Sequence, residues 1–385
     1  MRNFKADFML EEGVIFLNHG SFGACPKIVF EAYQEWQRKL ELQPVRFLGR
    51  QATQLLAEAR SVLGDYLNVP QDDLVFTTNP TTAINMVVRS LRLEPGDEIL
   101  SSTHEYGAMD RTWRYICGKT GAQYIQRSIP LPVSTHQDFV EHFLGGVTSR
   151  TKVIFLSHTT SQTALVFPVK EICRRAREMG ILSIIDGAHV PGQTPLDLGE
   201  INADIYTGAC HKWLCAPKGS AFLYAHPEIQ PRLDPLVVSW GYQSEKPGPS
   251  RFIDYHEWQG TRDLAAFLAV PDAIQYQQEN QWHQVRQRCH QLALQAYNRI
   301  NNLTGLAPLS PASAQWFLQM VTLRLPDRID HESLKAYLYD EHHIEVVAQS
   351  WQEHPYLRVS FQAYNQDSDL DALVTALEVY LAKHG

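Results

Sequence analysis

The chain has 385 residues, 44% hydrophobic and 20% charged, with a formal net charge of −8 at neutral pH. That length exceeds one ordinary core and calls for two subdomains, while the acidic balance argues against nucleic acid or a membrane surface as the main partner. No apolar run reaches the ~18 residues of a transmembrane helix, and the start, Met1–Asp7, lacks the apolar stretch of a signal peptide, so a cytoplasmic location is expected.

In chain order, Asn18-His-Gly-Ser21 is a glycine-containing turn in which Gly20 and the nearby Gly23 read equally well as plain turn glycines. A helix is expected at roughly 26–42. Asp72–Thr78 reads as a strand, Asn79–Thr82 as a tight turn, and Ala83–Leu91 as a helix with apolar spacing at Ile84, Val87, Val88 and Leu91. Pro80 suits the opening turn of that helix. Strand, polar turn and helix start together make an anion site, because unpaired backbone N–H groups and the hydroxyls of Thr81 and Thr82 converge where the helix dipole is positive. Taken alone, the two threonines read as an N-cap.

Ile181–Ile185 is short and apolar throughout, as a parallel strand buried on both faces would be, so Asp186 falls at its carboxyl end. Open α/β sheets bind ligands there. Ala203–Thr207 reads as another strand, weakened by Asp204, whose exit carries His211 and Lys212 into a loop. A lysine leaving one strand end beside a carboxylate at another suggests a Schiff-base lysine with a pyridinium partner, and hence pyridoxal phosphate. The aspartate would keep the pyridine nitrogen protonated, which makes the ring an electron sink. The lysine would supply the aldimine and, once displaced, an amine that moves protons. A helix-capping aspartate and a surface lysine are the alternative if the other parts are missing.

Further on, Gln243–Ser250 reads as a mobile surface loop. Leu264–Ile300 is a long helical region leading into a smaller α+β part that ends in a helix over Asp369–His384. The alternating segment Tyr356–Phe361 reads as a strand carrying Arg358. Cys25, Cys117, Cys173, Cys210, Cys215 and Cys289 show no CxxC spacing, so reduced thiols are the default. His342 and His343 point apart and suggest no third ligand; no metal is expected. Strand-helix alternation up to about residue 262 predicts an α/β fold with a mostly parallel sheet flanked by helices.

The order Asn79–Thr82, His104-Glu-Tyr106, Ser157–Thr163, Asp186-Gly-Ala-His189 and Thr207–Trp213 resembles the class V aminotransferase superfamily. Phe16–Gly23, Val238–Tyr242, Gln259–Asp263 and Leu357–Phe361 most resemble its isopenicillin N epimerase-like group. The resemblance runs from about residue 15 to about residue 365. It implies the pyridoxal-phosphate-dependent transferase fold of type I, with a large domain over 21–262 and a small one over 263–385 together with 1–20.

Carried over by position, Lys212 resembles the aldimine lysine, Asp186 the partner of the pyridine nitrogen, and His189 and Ser161 the contacts of the phenolic oxygen. Tyr106 sits where the family places a ring stacked on the pyridine face, although a core or surface tyrosine is the reading without that context. Thr81, Thr82 and His211 resemble phosphate contacts, and Thr261 a residue that reaches the phosphate in the neighbouring subunit of a homodimer. Arg358 resembles the arginine that forks onto the substrate carboxylate; otherwise it reads as a surface arginine paired with Glu353 or Asp367. Asn18, His19 and Arg46 are candidate substrate contacts. Two positions depart from the pattern. Ala209 removes a phosphate donor, with Thr207 or a backbone amide compensating, and Ala164 stands where glycine often follows the serine segment.

The implied activity is chemistry at the α-carbon of an amino acid, with epimerisation of an isopenicillin N-like substrate leading. C–S lysis of a cysteine conjugate and aminotransferase-type chemistry are alternatives, and a non-catalytic cofactor-binding protein is the reading from another class. Epimerisation needs a proton on the face opposite Lys212, for which Tyr106 and His19 are candidates. Desulfurases of the superfamily carry a nucleophilic cysteine shortly before the carboxylate-binding arginine; residues 341–356 contain none.

Overall fold

The computed structural model describes residues 2, 4–248 and 250–384; Met1, Asn3, Pro249 in the 243–250 loop, and Gly385 lie outside the described residues. Its strands are β1 (Ile15–Phe16), β2 (Leu74–Thr77), β3 (Glu98–Ser102), β4 (Gln123–Arg127), β5 (Thr151–Ser157), β6 (Leu182–Asp186), β7 (Ile205–Ala209), β8 (Ala221–Ala225), β9 (Met320–Arg324), β10 (Ile344–Glu345), β11 (Val347–Trp351) and β12 (His354–Ser360). β2 to β8 form one sheet in the order β2-β8-β7-β6-β5-β3-β4. Only β8 runs against its neighbours; the pairs β7–β6, β6–β5, β5–β3 and β3–β4 are parallel. The sheet is therefore mixed and mostly parallel, with helices on both faces.

Those two helical layers explain the continuous apolar runs. Along a strand successive side chains point to opposite faces, and here both faces are core: Val75, Ile99, Phe155, Ile184 and Leu223 join one buried cluster, while Phe76, Leu100, Leu156, Ile185 and Phe222 join the other. Each such side chain contributes roughly 1.5–3 kcal/mol by leaving water. A polar residue inside these strands needs a hydrogen-bond partner, as Ser183 and Thr207 have, whereas Ser157 and Asp186 sit at strand ends.

Three expected boundaries move, each for a local reason. The helix expected from residue 83 starts at Pro80, because the Asn79 side chain accepts the Thr82 N–H at 2.8 Å and draws Thr81 and Thr82 into the first turn. Asn79, not either threonine, is the N-cap. The strand expected over 203–207 runs over 205–209, because Asp204 is tied off sideways, accepting from the Ser183 N–H and hydroxyl at 2.8 and 2.9 Å and pairing with Arg177 at 3.0 Å. The long helical region breaks into Ala265–Leu268, Val270–Glu279 and Trp282–Thr304; Pro271 starts the second, and Gln281, with φ of 49°, separates the second from the third.

A smaller antiparallel sheet, β11-β12-β9, carries Arg358 in its central strand. β1 pairs with β10, and the Ser360 N–H bonds the Leu17 carbonyl at 2.8 Å, which lays the turn after Leu17 beside Arg358. The cysteine-free stretch 341–356 runs from the end of helix His331–His342 through β10 into the β11–β12 hairpin, turned by Gln352 and Glu353 at φ of 47° and 67°. Among the described residues no helix is long and apolar enough to cross a membrane, and no group of three or more His, Cys, Asp or Glu is arranged to hold a metal.

Candidate active site

Parallel pairing aligns the carboxyl ends of β5, β6 and β7: Ser157 stands opposite Asp186, and Asp186 opposite Thr207. Lys212 leaves β7 a few residues later. Between these ends and the start of helix Pro80–Ser90 lies a cavity of about 150 Å³, lined among others by Thr81, Tyr106, Ser161, Asp186, His189, His211 and Lys212. Seven of the expected site residues thus meet in one place. Strand ends and a helix start are the geometry that favours an anionic ligand in an open α/β sheet.

The charges there are held away from their ordinary states. Burial, and then the Arg358 charge, pull the Lys212 amine down to about 8 against the opposing pull of Asp186. Burial raises the Asp186 carboxyl despite the Ala188 N–H on its Oδ1 at 2.9 Å and the Lys212 charge. Lys212 Nζ lies 3.2 Å from His189 Nε2, and the Trp213 indole N–H meets His189 Nδ1 at 3.3 Å. Burial, followed by the Lys212 and Arg358 charges, keeps that imidazole neutral well below its usual range. His211 donates through Nδ1 to the Ser220 carbonyl at 2.9 Å and is lowered to about 4, mainly by burial.

Arg358 is buried behind two lining residues, its Nη1 donating to the Ser161 carbonyl at 2.6 Å and hydroxyl at 3.1 Å, its Nη2 to the Ser21 hydroxyl at 3.0 Å. Neither Glu353 nor Asp367 pairs with it. Burial lowers the guanidinium to about 10. A buried cation without a carboxylate partner is costly unless an anion arrives.

The remaining expected residues lie elsewhere. Thr82 does not line the cavity; its hydroxyl meets Thr78 Oγ1 at 3.1 Å. His19 is fully buried: its Nε2–H donates to the Lys212 carbonyl at 3.0 Å, leaving Nδ1 to accept from the Tyr364 hydroxyl at 2.9 Å, and burial lowers it to about 3. With both nitrogens engaged it braces the lysine's backbone and is withdrawn as a substrate contact or second base. Asn18 is likewise turned aside, bonding Glu345 at 3.0 Å and accepting from Ser21 at 2.6 Å, so that Ser21, not Asn18, reaches the cavity. Arg46 and Thr261 are exposed and away from the cavity of their own chain.

The two departures also have physical outcomes. Thr207 cannot replace the donor missing at Ala209, since its buried hydroxyl is spent on the Phe222 carbonyl at 2.6 Å. Ala164 adopts φ of 57°, the left-handed conformation that favours glycine, yet the Thr160–Leu165 turn is held by a backbone bond of 2.9 Å and a side-chain bond of 2.9 Å, and Ser161 still reaches the cavity. Gly23, with φ of 72°, is more than a turn glycine. A Cβ there would come within 2.8 Å of Lys212 Cα.

Sequence reasoning missed Glu105, Ser21 and Trp213. Glu105 lies buried behind Asp186, its Oε2 accepting the Ser157 N–H and hydroxyl at 2.8 and 2.7 Å and its Oε1 the Ser102 hydroxyl at 2.6 Å. Burial above all pushes it up to about 8. Its signal was a carboxylate three residues past the end of β3, a weaker cue than Asp186 because that strand, Glu98–Ser102, is only partly apolar.

Residues 16–373 match the family model described as aminotransferase class-V. The chain is 36% identical to the isopenicillin N epimerase of Amycolatopsis lactamdurans, over 98% of this chain and 97% of that one. It is 28% identical to the probable chloroplastic L-cysteine desulfhydrase of Arabidopsis thaliana, over 94% and 82%. In structure it is similar to the cystine C-S lyase C-DES, solved with its reaction product cysteine persulfide, at a TM-score of 0.84 with 21% identity over 95% and 98% of the chains. A mutant of C-DES has been solved with glycine covalently linked to its PLP cofactor.

Proposed function

The chain belongs to the class V aminotransferase family, and on that premise we propose that it is a pyridoxal-phosphate enzyme acting at the α-carbon of an amino acid, as an isopenicillin N epimerase-like enzyme. The observation that carries this reading is that Asp186, at the end of β6, and Lys212, just past the end of β7, line one cavity, with Lys212 Nζ 3.2 Å from His189 Nε2 and a nearby Arg358 that has no carboxylate partner among the described residues.

The residues present fit the cofactor. Asp186 keeps one oxygen, Oδ2, without a hydrogen-bond partner among the described residues, as a carboxylate meant for a pyridinium nitrogen would. Thr81 at a helix start and His211 suit the phosphate, His189 and Ser161 the phenolic oxygen, Tyr106 the ring face, and Lys212 the carbonyl carbon. When bound, the cofactor delocalises the electron pair left by a bond broken at the substrate's α-carbon.

The protein's own groups do the rest. Arg358 exchanges its bonds to Ser161 and Ser21 for the two oxygens of the substrate carboxylate, which orients the α-carbon. Lys212, lowered to about 8, is neutral in a usable fraction near neutral pH and moves the α-proton on its own face. Epimerisation further requires a donor on the opposite face, and Tyr106 is the candidate that lines the cavity. C–S lysis is the second reading: it needs no second base, and His19, the other candidate, is out of reach.

The working unit is a homodimer in which Thr261 completes the partner's phosphate site, a reading supported by the exposure of Thr261 and of the apolar Phe22 beside the cavity. Residues 21–262 form the cofactor domain and 263–385 with 1–20 the small one, supported by the separate β11-β12-β9 sheet and the β1–β10 pairing. The location is cytoplasmic, in keeping with six unpaired cysteines.

The deciding experiment incubates a panel of L-amino acids, isopenicillin N and cysteine conjugates with the protein in deuterated water. Deuterium at the α-carbon of recovered amino acid supports epimerisation; release of pyruvate, ammonia and thiol supports lysis. A protein that stays colourless after cofactor addition and gives neither product sinks both.

A further inference from the structure

Two bonds to one imidazole carry an inference about which proton that imidazole holds. An indole N–H only donates, so the Trp213 Nε1–H, 3.3 Å from His189 Nδ1, requires a bare lone pair on that nitrogen. A neutral ring then carries its hydrogen on Nε2, the atom 3.2 Å from Lys212 Nζ, whose amine accepts that hydrogen when it is itself neutral. Trp213 cannot easily turn away: it is fully buried, packed with Ala164 and Met320, and its ring centroid stands 4.9 Å from that of His19.

We propose that Trp213 is a positioning residue that locks His189 as the Nε2–H tautomer, so that His189 is a fixed hydrogen-bond donor to the group seated beside Lys212 and never a proton acceptor. With the cofactor bound, a use that rests on the function proposed above, that donor meets the phenolic oxygen. His189 so held cannot serve as the second catalytic base. Burial first, and then the charges of Lys212 and Arg358 with the neighbouring His211 and His19, oppose protonation of the ring and leave the tautomer as its one remaining freedom. The hydrogen bond to Trp213 decides that freedom.

Solid-state 15N NMR of the full-length chain, labelled at histidine, stripped of cofactor and with His189 assigned by its loss in His189→Gln, reads the tautomer without any turnover. Above about pH 9, where the Lys212 amine is neutral and can accept the Nε2 hydrogen, the wild type should show a bare Nδ1 and a protonated Nε2. Trp213→Phe, which keeps most of the apolar volume and loses the N–H, should raise the Nδ1–H share roughly fivefold, the worth of one hydrogen bond. In the cofactor-loaded protein the same variant should raise the pH midpoint of the visible absorption by about one unit, because the phenolic oxygen loses a donor. A wild-type His189 protonated at Nδ1, or a tautomer ratio unchanged in Trp213→Phe, overturns the proposal. If the variant does not fold, the wild-type spectrum alone decides. A protein that binds no cofactor would count against the proposed function while leaving the tautomer measurement readable.

Discussion

Arg358 reaches Ser161 twice from one nitrogen, donating to its carbonyl at 2.6 Å and its hydroxyl at 3.1 Å, although the two residues are 197 positions apart. The guanidinium is thus pre-aimed at the cavity wall with neutral acceptors in place of a carboxylate. Exchange of those acceptors for a substrate carboxylate costs little reorganisation.

Arg358→Lys and Arg358→Ala should therefore lower kcat/KM by about two to three orders of magnitude, since a fork with two donors is lost and a buried carboxylate is left unmatched. The drop should appear mainly as raised KM, with cofactor absorbance retained. Steady-state kinetics beside a visible spectrum check both parts.

Lys212→Ala should abolish the visible band of bound cofactor and reduce turnover by about 10³-fold or more. In the cofactor-free wild type the rate of cofactor attachment should climb with pH through about 8, because the neutral amine reacts and burial has brought its pKa there. Stopped-flow mixing with cofactor between pH 6 and 10 tests this; a midpoint near the ordinary lysine value contradicts the site's electrostatics.

Asp186→Asn should keep the fold and the Ala188 N–H bond through the amide oxygen while weakening the hold on the pyridine nitrogen. Turnover should fall roughly 10- to 100-fold, the range of one charge-assisted hydrogen bond. Unchanged turnover would place the pyridine nitrogen elsewhere.

Acid should destabilise the chain through its buried histidines. His19 and His104 are fully buried and held, by burial, at about 3, whereas an unfolded histidine takes its proton near 6.5. Below 6.5 the unfolded chain binds the extra protons, so stability present above that pH is lost progressively down to about 3. At pH 5 each contributes a loss of up to about 2 kcal/mol. His104→Phe should flatten the curve of denaturation midpoint against pH, and an unaltered slope would rule His104 out as a source.

Trp240 is 88% exposed and Phe22 73% exposed, with Leu42 at 85%, a degree of apolar exposure that suits contact with a second copy. Sedimentation should give a dimer, and Trp240→Glu should weaken it by roughly 30-fold or more in Kd and with it the affinity for cofactor. A wild-type monomer with full activity would refute the shared site.

How much of this was legible in advance follows from the range of the interactions involved. Asp186 and Lys212 were found because strand ends are local: the continuous apolar run Ile181–Ile185 tells where a buried strand stops, and Pro80 marks an opening turn although apolar spacing puts the helix start three residues late. The fold class came from the same short-range patterns repeated along the chain. The state of each group came from contacts that no local pattern contains. Asn18 and His19 look like site residues in their turn, yet Glu345 and Tyr364, more than 300 positions away, take up their polar atoms. Glu105 and Trp213 look unremarkable until Ser157 and His189 are packed against them. Periodicity and end signals thus specify which side chains arrive at a sheet edge, whereas burial and hydrogen-bond partners, set by packing between distant segments, decide which of them are charged, neutral or free to react.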